Sequence, residues 1–390
     1  MRNELITYYK SGKSTVVQSV VGVGSRLEPK HLKGISHFVE HLCFKGTTKY
    51  AQGKIEEIVE NYGGDLNACT DYDSTLYYIR VPSDYRLKAL DMIKEMMSNV
   101  KFDPKEVEKE RQVILQEIKM YADHTPSYTG DVANTALFSS DSGLYDGIAG
   151  SIETVSRITI QDLENWYDQY YRSGFPQILM VGGNCITYIP KHLPDYDLRT
   201  FSEKIYHKIK IVTRKDISQS CLVLTGFIDR KTYKDRLKTS CTSDVLSNVL
   251  NGMSGRLFKE IREKRGFVYG IRFGFQMFIN GDIGWTVSCE LEQKNIQKAV
   301  KIIKQELIRP VTNEEVKNAI ISTTGKLDLS LENTRKIADV ISRAILMGYN
   351  PATVITDISK GLKVSPIEVH YIQRLLNPKK ASIAILNPSK

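Results

Sequence analysis

Hydrophobic and polar residues follow two different periods along this chain. The valine-rich run 14–23 is typical of a strand, and residues 220–227 repeat that pattern in the second half. Apolar residues three or four positions apart predict amphipathic helices over residues 34–44, 104–121, 240–250 and 313–330. Strands and helices therefore recur in the same order in both halves. This order predicts an α+β fold made by duplication, although the internal sequence similarity is weak.

The best-marked helix start lies at Asp103 and Pro104. Asp103 is a favourable N-cap residue, and proline is favoured at the first helical position. Glu110 and Glu117 follow seven residues apart, which is two turns. Both carboxylates are therefore expected on one face of the helix.

Residues 188–197 contain two prolines and have mixed polarity, which is typical of a linker between domains. It lies near the middle of a chain of 390 residues, which is long enough for two domains. We predict an N-terminal domain over residues 1–190 and a C-terminal domain over residues 191–390.

Composition excludes several classes of protein. Hydrophobic residues make up 41% of the chain, so it is too apolar for disorder. No apolar run is long enough to span a membrane, and the first residues do not resemble a secretory signal. We therefore expect no membrane contact and a cytoplasmic location.

Charge and cysteines refine this expectation. The formal net charge is +9, but acidic residues stand among the basic ones, so we expect a solvated lysine-rich surface and no nucleic-acid partner. The 6 cysteines include no Cys-x-x-Cys pair. We expect buried free thiols in a reducing compartment.

The run from His37 to His41, with Glu40 between them, carries the most chemistry. Histidines four positions apart on a helix project from one face and suit one zinc ion, and Glu40 is placed to reach a metal-bound water. The helix that carries Glu110 and Glu117 could supply a third ligand. The pattern predicts zinc-dependent hydrolysis, but a short His/Glu pattern also arises by chance on a surface or in a core.

Several other segments extend the pattern. They comprise residues 23–47, 63–70, 110–118, 150–163 and 254–269. Together these motifs resemble the pitrilysin-type zinc peptidases of family M16, in the shorter form of the mitochondrial processing peptidase subunits and their bacterial homologues. The resemblance covers nearly the whole chain.

The resemblance implies a fold and an activity. The fold is two structurally similar α+β domains of the M16 peptidase, or LuxS-like metallohydrolase, type. Each domain is a mostly antiparallel sheet flanked by helices, and the two form half of a clamshell. The implied activity is that of a zinc metalloendopeptidase with one zinc ion per chain, held by the N-terminal domain.

The resemblance also assigns roles at the zinc site. His37 and His41 match the two zinc-binding histidines, Glu117 matches the third ligand, and Glu40 matches the general base. Glu110 matches a supporting acid that orients a histidine. The helix pattern alone allows Glu110 and Glu117 to exchange roles, and the family spacing favours Glu117.

Asn67, Ala68 and Thr70 match an edge strand that binds substrate by adding the peptide to the sheet. Taken without the resemblance, Asn67 is better interpreted as a turn residue after Gly63-Gly64. Substrate binding by this strand is therefore an implication of the resemblance.

Arg262 and Tyr269, seven positions apart, match a pair in the C-terminal domain that binds the substrate carbonyl and stabilises the oxyanion. Taken without the resemblance, Arg262 is one of several charged helix residues and Tyr269 is a strand residue. The catalytic role of the pair rests on the resemblance.

The implied partners follow from chain length. Larger relatives place four such domains in one chain around a chamber, so this chain is expected to act as a homodimer, or as a heterodimer with a second M16 chain, on unfolded peptides. The alternative is a catalytically silent or partner-dependent subunit. No mitochondrial presequence is evident in the sequence.

Overall fold

A computed structural model describes residues 5–174, 176–190, 201 and 203–389. The chain forms two compact units. Unit 1 contains the described residues of Met1–Lys119, Asp146–Leu198 and Leu329–Ile355. Unit 2 contains those of Met120–Tyr145, Arg199–Asp328 and Thr356–Lys390. Most of the predicted linker lies outside the described residues, so the domain boundary at residue 190 stays a prediction.

The two strands and four helices predicted from the sequence are all observed, among further elements that were not predicted. The strands are β1 (Ile6–Tyr9), β2 (Ser14–Val21), β3 (Asp65–Thr70), β4 (Thr75–Pro82), β5 (Gln177–Gly182), β6 (Ile209–Arg214), β7 (Ser220–Ile228), β8 (Val268–Met277), β9 (Ile283–Leu291) and β10 (Ser382–Pro388). The helices are α1 (Ile35–Leu42), α2 (Lys54–Asn61), α3 (Arg86–Ser98), α4 (Pro104–Asp123), α5 (Thr125–Leu137), α6 (Ile152–Arg157), α7 (Ile160–Tyr167), α8 (Arg236–Leu250), α9 (Arg256–Phe258), α10 (Ile296–Ile308), α11 (Asn313–Ser330), α12 (Thr334–Leu346), α13 (Val354–Gly361) and α14 (Pro366–Leu375).

Unit 1 is built on a five-stranded sheet of order β1-β5-β2-β4-β3. Only the β1–β5 pair is parallel within this described sheet. Val17 of β2 joins the core formed with α1 and α3, whereas the Gln18 amide donates to the Ser342 hydroxyl of α12 at 2.9 Å. Since successive strand residues face opposite sides, helices cover both faces of the sheet.

Unit 2 repeats this plan. Its five-stranded sheet has the order β6-β10-β7-β9-β8, and the β6–β10 pair is parallel. Helix α5 packs on β7 and β10, helix α8 packs on β8, and helix α14 packs on α8. Trp285 is fully buried in the core of this unit. The expectation of two similar α+β domains, each with a mostly antiparallel sheet flanked by helices, is confirmed.

Each unit takes a helix from the opposite half of the sequence. Helix α5 follows α4 in the chain but packs on β7 and β10 of unit 2. Helix α12 lies in the second half of the sequence but packs on β2 and β5 of unit 1. The compact units are therefore not continuous along the chain.

All six cysteines are free thiols, as expected. Four are buried, but Cys69 is exposed and Cys185 is half-buried, so the expectation of burial was wrong for these two. Cys69 is exposed because, like Asn67, it lies on the outer face of the edge strand β3, whereas the next residue, Thr70, is buried.

Among the described helices, none combines the length and apolar character needed to cross a membrane.

Candidate active site

Helix α1 carries three of the predicted site residues. It begins after Gly34, whose φ of 95° belongs to the left-handed region. A Cβ atom at this position would lie 2.5 Å from the carbonyl oxygen of Ala149, so only glycine fits. The helix then brings the rings of His37 and His41 side by side, with centroids 4.7 Å apart.

Helix α4 supplies the two acidic residues. Asp103 caps its start, accepting the Lys105 N–H at 2.9 Å, as the sequence predicts. The Arg111 guanidinium lies 5.2 Å from the ring centre of Phe38 on α1 and donates to the Ile158 carbonyl at 2.9 Å. Arg111 therefore holds α4 against α1, a role that the sequence pattern does not indicate.

Three side chains converge with the spacing of a metal site. Glu117 Oε2 lies 3.5 Å from His41 Nε2 and 3.7 Å from His37 Nε2. All three ligand atoms lie within 4.8 Å of one another. Zinc binds such atoms at about 2.0–2.2 Å, which places the ligands of a tetrahedral site about 3.5 Å apart. The donor set and its spacing therefore fit a zinc ion.

Glu110 contacts the other side of the His41 ring. Its Oε2 lies 3.1 Å from His41 Nδ1, and its Oε1 lies 3.0 Å from Lys45 Nζ. A carboxylate at Nδ1 leaves Nε2 free to face a metal. This arrangement favours Glu117 as the ligand and Glu110 as the orienting acid. Lys45 was not predicted, because its partner lies far away in the sequence.

The two histidines differ in their pKa values. Burial, assisted by the neighbouring His41, lowers the pKa of His37 to about 4, so its imidazole is neutral at pH 7. Burial alone would lower the pKa of His41 as well, but hydrogen bonds to Glu110 and Glu117 raise it to about 9. Metal binding at His41 is therefore coupled to proton release.

Glu40 has the properties of a general base. Burial raises the pKa of its carboxyl, and the hydrogen bond from the Thr70 hydroxyl opposes this shift. His41 and Glu117 lie close enough for their charges to act on the same pKa. A carboxylate with a raised pKa takes up a proton more readily than an ordinary one, as a general base must.

The predicted substrate strand is β3, at the edge of the unit 1 sheet. Asn67 is a strand residue, so the turn interpretation was wrong. The Asn67 Oδ1 accepts the N–H of Ala68 at 2.8 Å. Thr70 ends the strand beside Glu40, so this edge leads directly to the site.

Arg262 and Tyr269 lie together in unit 2. Arg262 belongs to the π-helical turn Lys259–Glu263, and Tyr269 is near the start of β8. The guanidinium carbon of Arg262 lies 5.0 Å from the centre of the Tyr269 ring. Tyr269 is 88% exposed, so both its ring and its hydroxyl are accessible.

Comparison with known proteins agrees with this geometry. A family model described as insulinase (peptidase family M16) matches residues 5–141, and one described as the peptidase M16 inactive domain matches residues 157–322. The "Uncharacterized zinc protease YmxG" of Bacillus subtilis is 30% identical, over 97% of this chain and 94% of that protein. The chain belongs to peptidase family M16.

Solved structures share the fold of this M16 chain. A protease from Helicobacter pylori matches with a TM-score of 0.86 and 18% identity, over 98% of this chain and 96% of that one. Pitrilysin matches with a TM-score of 0.74 and 17% identity, over 99% of this chain but 44% of its own. At these identities the likeness concerns the fold alone.

Proposed function

We propose that this M16 chain is a zinc-dependent endopeptidase that hydrolyses peptide bonds of unfolded peptides. The observation that carries the proposal is the convergence of His37, His41 and Glu117 beside the Glu40 carboxylate. The site adjoins the edge of a sheet, where an extended peptide can bind.

A zinc ion held by these three ligands would lower the pKa of a coordinated water and polarise the scissile carbonyl. Glu40 accepts the proton of the attacking water as the oxygen bonds to the carbonyl carbon. Glu40 then donates that proton to the leaving amine as the C–N bond breaks. The Thr70 hydroxyl holds Glu40 in place through its hydrogen bond.

The peptide is proposed to pair with β3 along Asn67, Ala68 and Thr70. Main-chain hydrogen bonds require an extended segment and read little sequence, which favours unfolded substrates over folded domains. Because Asn67 Oδ1 already accepts the Ala68 N–H, a peptide that uses this donor must displace the Asn67 side chain.

Arg262 and Tyr269 are proposed to stabilise the oxyanion at the zinc site of a second chain. This chain covers only 44% of pitrilysin, which supports an assembly in which two chains do what one longer chain does there. Since both the zinc ligands and the Arg/Tyr pair are present here, a homodimer is favoured over a heterodimer with another M16 chain.

The second candidate is a subunit that needs a different partner for activity. The family model over residues 157–322, which include Arg262 and Tyr269, is described as an inactive domain. Activity of the pure chain separates the two candidates.

The test is cleavage of a quenched, unstructured peptide by the purified chain, sized by light scattering. We expect cleavage that a chelator abolishes and that stoichiometric zinc restores, and no cleavage of a folded domain carrying the same sequence. Cleavage that survives removal of zinc contradicts the proposal. A zinc-loaded chain that is inactive alone favours the partner-dependent subunit.

A further inference from the structure

Glu28 is a buried carboxylate that the proposed chemistry does not use. Glu28 is only 5% exposed and lies in the segment that precedes α1. Its Oε2 accepts the N–H of Gly34 at 2.8 Å, and its Oε1 accepts the N–H of Ser36 at 2.8 Å. Both carboxylate oxygens are therefore engaged with the start of one helix.

Helix α1 needs this partner. The first N–H groups of a helix have no acceptor within the helix, and a polar side chain at the N-cap normally supplies one. Gly34 at the N-cap has no side chain to do so. The Glu28 carboxylate takes that place, and its negative charge lies at the positive end of the helix dipole.

The segment that carries Glu28 is itself held in place. The N–H groups of Ser25 and Arg26 donate to the carbonyls of Asp71 and Tyr72, at 3.2 and 2.8 Å. The Lys33 ammonium, also buried, donates to the Ser25 carbonyl at 2.8 Å. This segment is thus fixed to the turn between β3 and β4.

We infer that Glu28 is a positioning residue for the zinc centre. By binding the amides of Gly34 and Ser36 it sets the rotation and position of α1, and His37 is the next residue along that helix. Among the described hydrogen bonds, those of Glu28 run to the helix backbone and not to His37, His41 or Glu117, so it acts through that backbone. The inference rests on the zinc site of the proposed function.

The test compares zinc affinity between the wild type and Glu28→Gln, by competition with a chromophoric chelator. Glutamine keeps one acceptor but turns an NH₂ group toward the second backbone N–H. Burial raises the pKa of Glu28 to about 7, although the hydrogen bonds from the Gly34 and Ser36 amides oppose this shift. The comparison is therefore made at pH 8, where the Glu28 carboxyl group is ionised. We expect zinc binding about 10–100-fold weaker, as for other residues that orient metal ligands.

Glu315→Gln is the matched control. It also removes a hydrogen-bonded carboxylate, but in unit 2, where Glu315 binds Arg256. We expect it to lower thermal stability without changing zinc affinity. A general loss of stability would weaken zinc binding in both variants, whereas a positioning role weakens it in Glu28→Gln alone.

Glu28→Asp is the second variant, should Glu28→Gln not fold. Aspartate keeps the charge but is too short to bridge both amides, so we expect an intermediate loss of zinc affinity. Zinc affinity within twofold of the wild type in every folded Glu28 variant overturns the inference. A wild type that binds zinc but cleaves no peptide contradicts the proposed function, and the affinity comparison still decides on Glu28.

In the active protein, kcat is expected to fall in Glu28→Gln while KM stays within about twofold, because substrate pairs with β3 and not with α1. An equal kcat with a raised KM would contradict positioning of the zinc centre.

Discussion

At the scale of single residues, one histidine shows how two acids on the same helix take different roles. Glu110 Oε2 faces His41 Nδ1 at 3.1 Å, and Glu117 Oε2 faces His41 Nε2 at 3.5 Å. Burial would raise the pKa of Glu110, but its hydrogen bonds with His41 and Lys45 outweigh burial and lower it. An ionised Glu110 at Nδ1 is suited to keep Nε2 directed at the proposed zinc site.

Substitution of each acid by glutamine separates these roles. Glu110→Gln should weaken zinc binding about 10–100-fold, because only the orientation of His41 is disturbed. Glu117→Gln should weaken it by more than about 100-fold, because a ligand is lost. Isothermal titration with zinc measures both. The reverse order of the two losses would show that Glu110 is the ligand.

The residue pattern could predict only part of this site. His37, Glu40 and His41 are close in sequence, so helical spacing alone places them together. The same spacing left Glu110 and Glu117 interchangeable, because a pattern does not show which atom of His41 each faces. Arg111 and Glu28 were missed because they bind main-chain groups, which leave no mark on the sequence.

At the scale of elements, periodicity predicted four of the described helices but not what they pack against. The helix predicted over residues 313–330 is observed as Asn313–Ser330. Amphipathicity shows that a helix buries one face, but it does not identify the sheet that covers that face. The placement of α5 in unit 2 and α12 in unit 1 could not be predicted for this reason.

The contact between α9 and α11 predicts how stability depends on pH. Arg256 binds both carboxylate oxygens of Glu315, at 2.6 and 2.5 Å. Partial burial would raise the pKa of Glu315, but Arg256 and the Thr312 N–H outweigh burial and hold it at about 2, below its ordinary value of 4.5. A carboxyl group whose pKa is lowered on folding stabilises the protein at pH values above its unfolded-state pKa. This stabilisation is lost as the pH falls toward the folded-state pKa.

We therefore expect the wild type to exceed Glu315→Gln in free energy of unfolding above about pH 5, with the difference shrinking as the pH falls toward 2. Urea unfolding at a series of pH values measures this difference. Glu292→Gln, which removes an exposed partner of Lys294, serves as the control and should show little dependence on pH. A Glu315 difference that grows on acidification would contradict the expected sign.

At the scale of the whole molecule, element order predicted the duplication that the two sheets display. Both have one parallel pair and three antiparallel pairs in corresponding positions. The proposed zinc ligands lie in unit 1 and the Arg262–Tyr269 pair lies in unit 2. The assembly decides whether the Arg262–Tyr269 pair acts at the zinc site of its own chain or of a second chain. A single sequence does not show how chains assemble.

Mixing two inactive variants tests the proposed homodimer. Glu40→Gln lacks the proposed base, and Tyr269→Phe lacks the proposed oxyanion donor, which is expected to be worth about 10²–10³-fold in kcat. If sites are shared, an equal mixture that exchanges subunits should regain about a quarter of wild-type activity, because half the dimers contain one intact site of two. No recovery after proven exchange would place each site within one chain.

The proposed zinc chemistry is tested most directly by measuring zinc content and peptide cleavage in one sample of Glu40→Gln. Glutamine can still accept the Thr70 hydroxyl, and all three zinc ligands remain, so we expect one zinc ion per chain, as in the wild type. We expect kcat to fall about 10²–10⁴-fold because the base is gone. Wild-type cleavage at unchanged zinc content would contradict the account of this site.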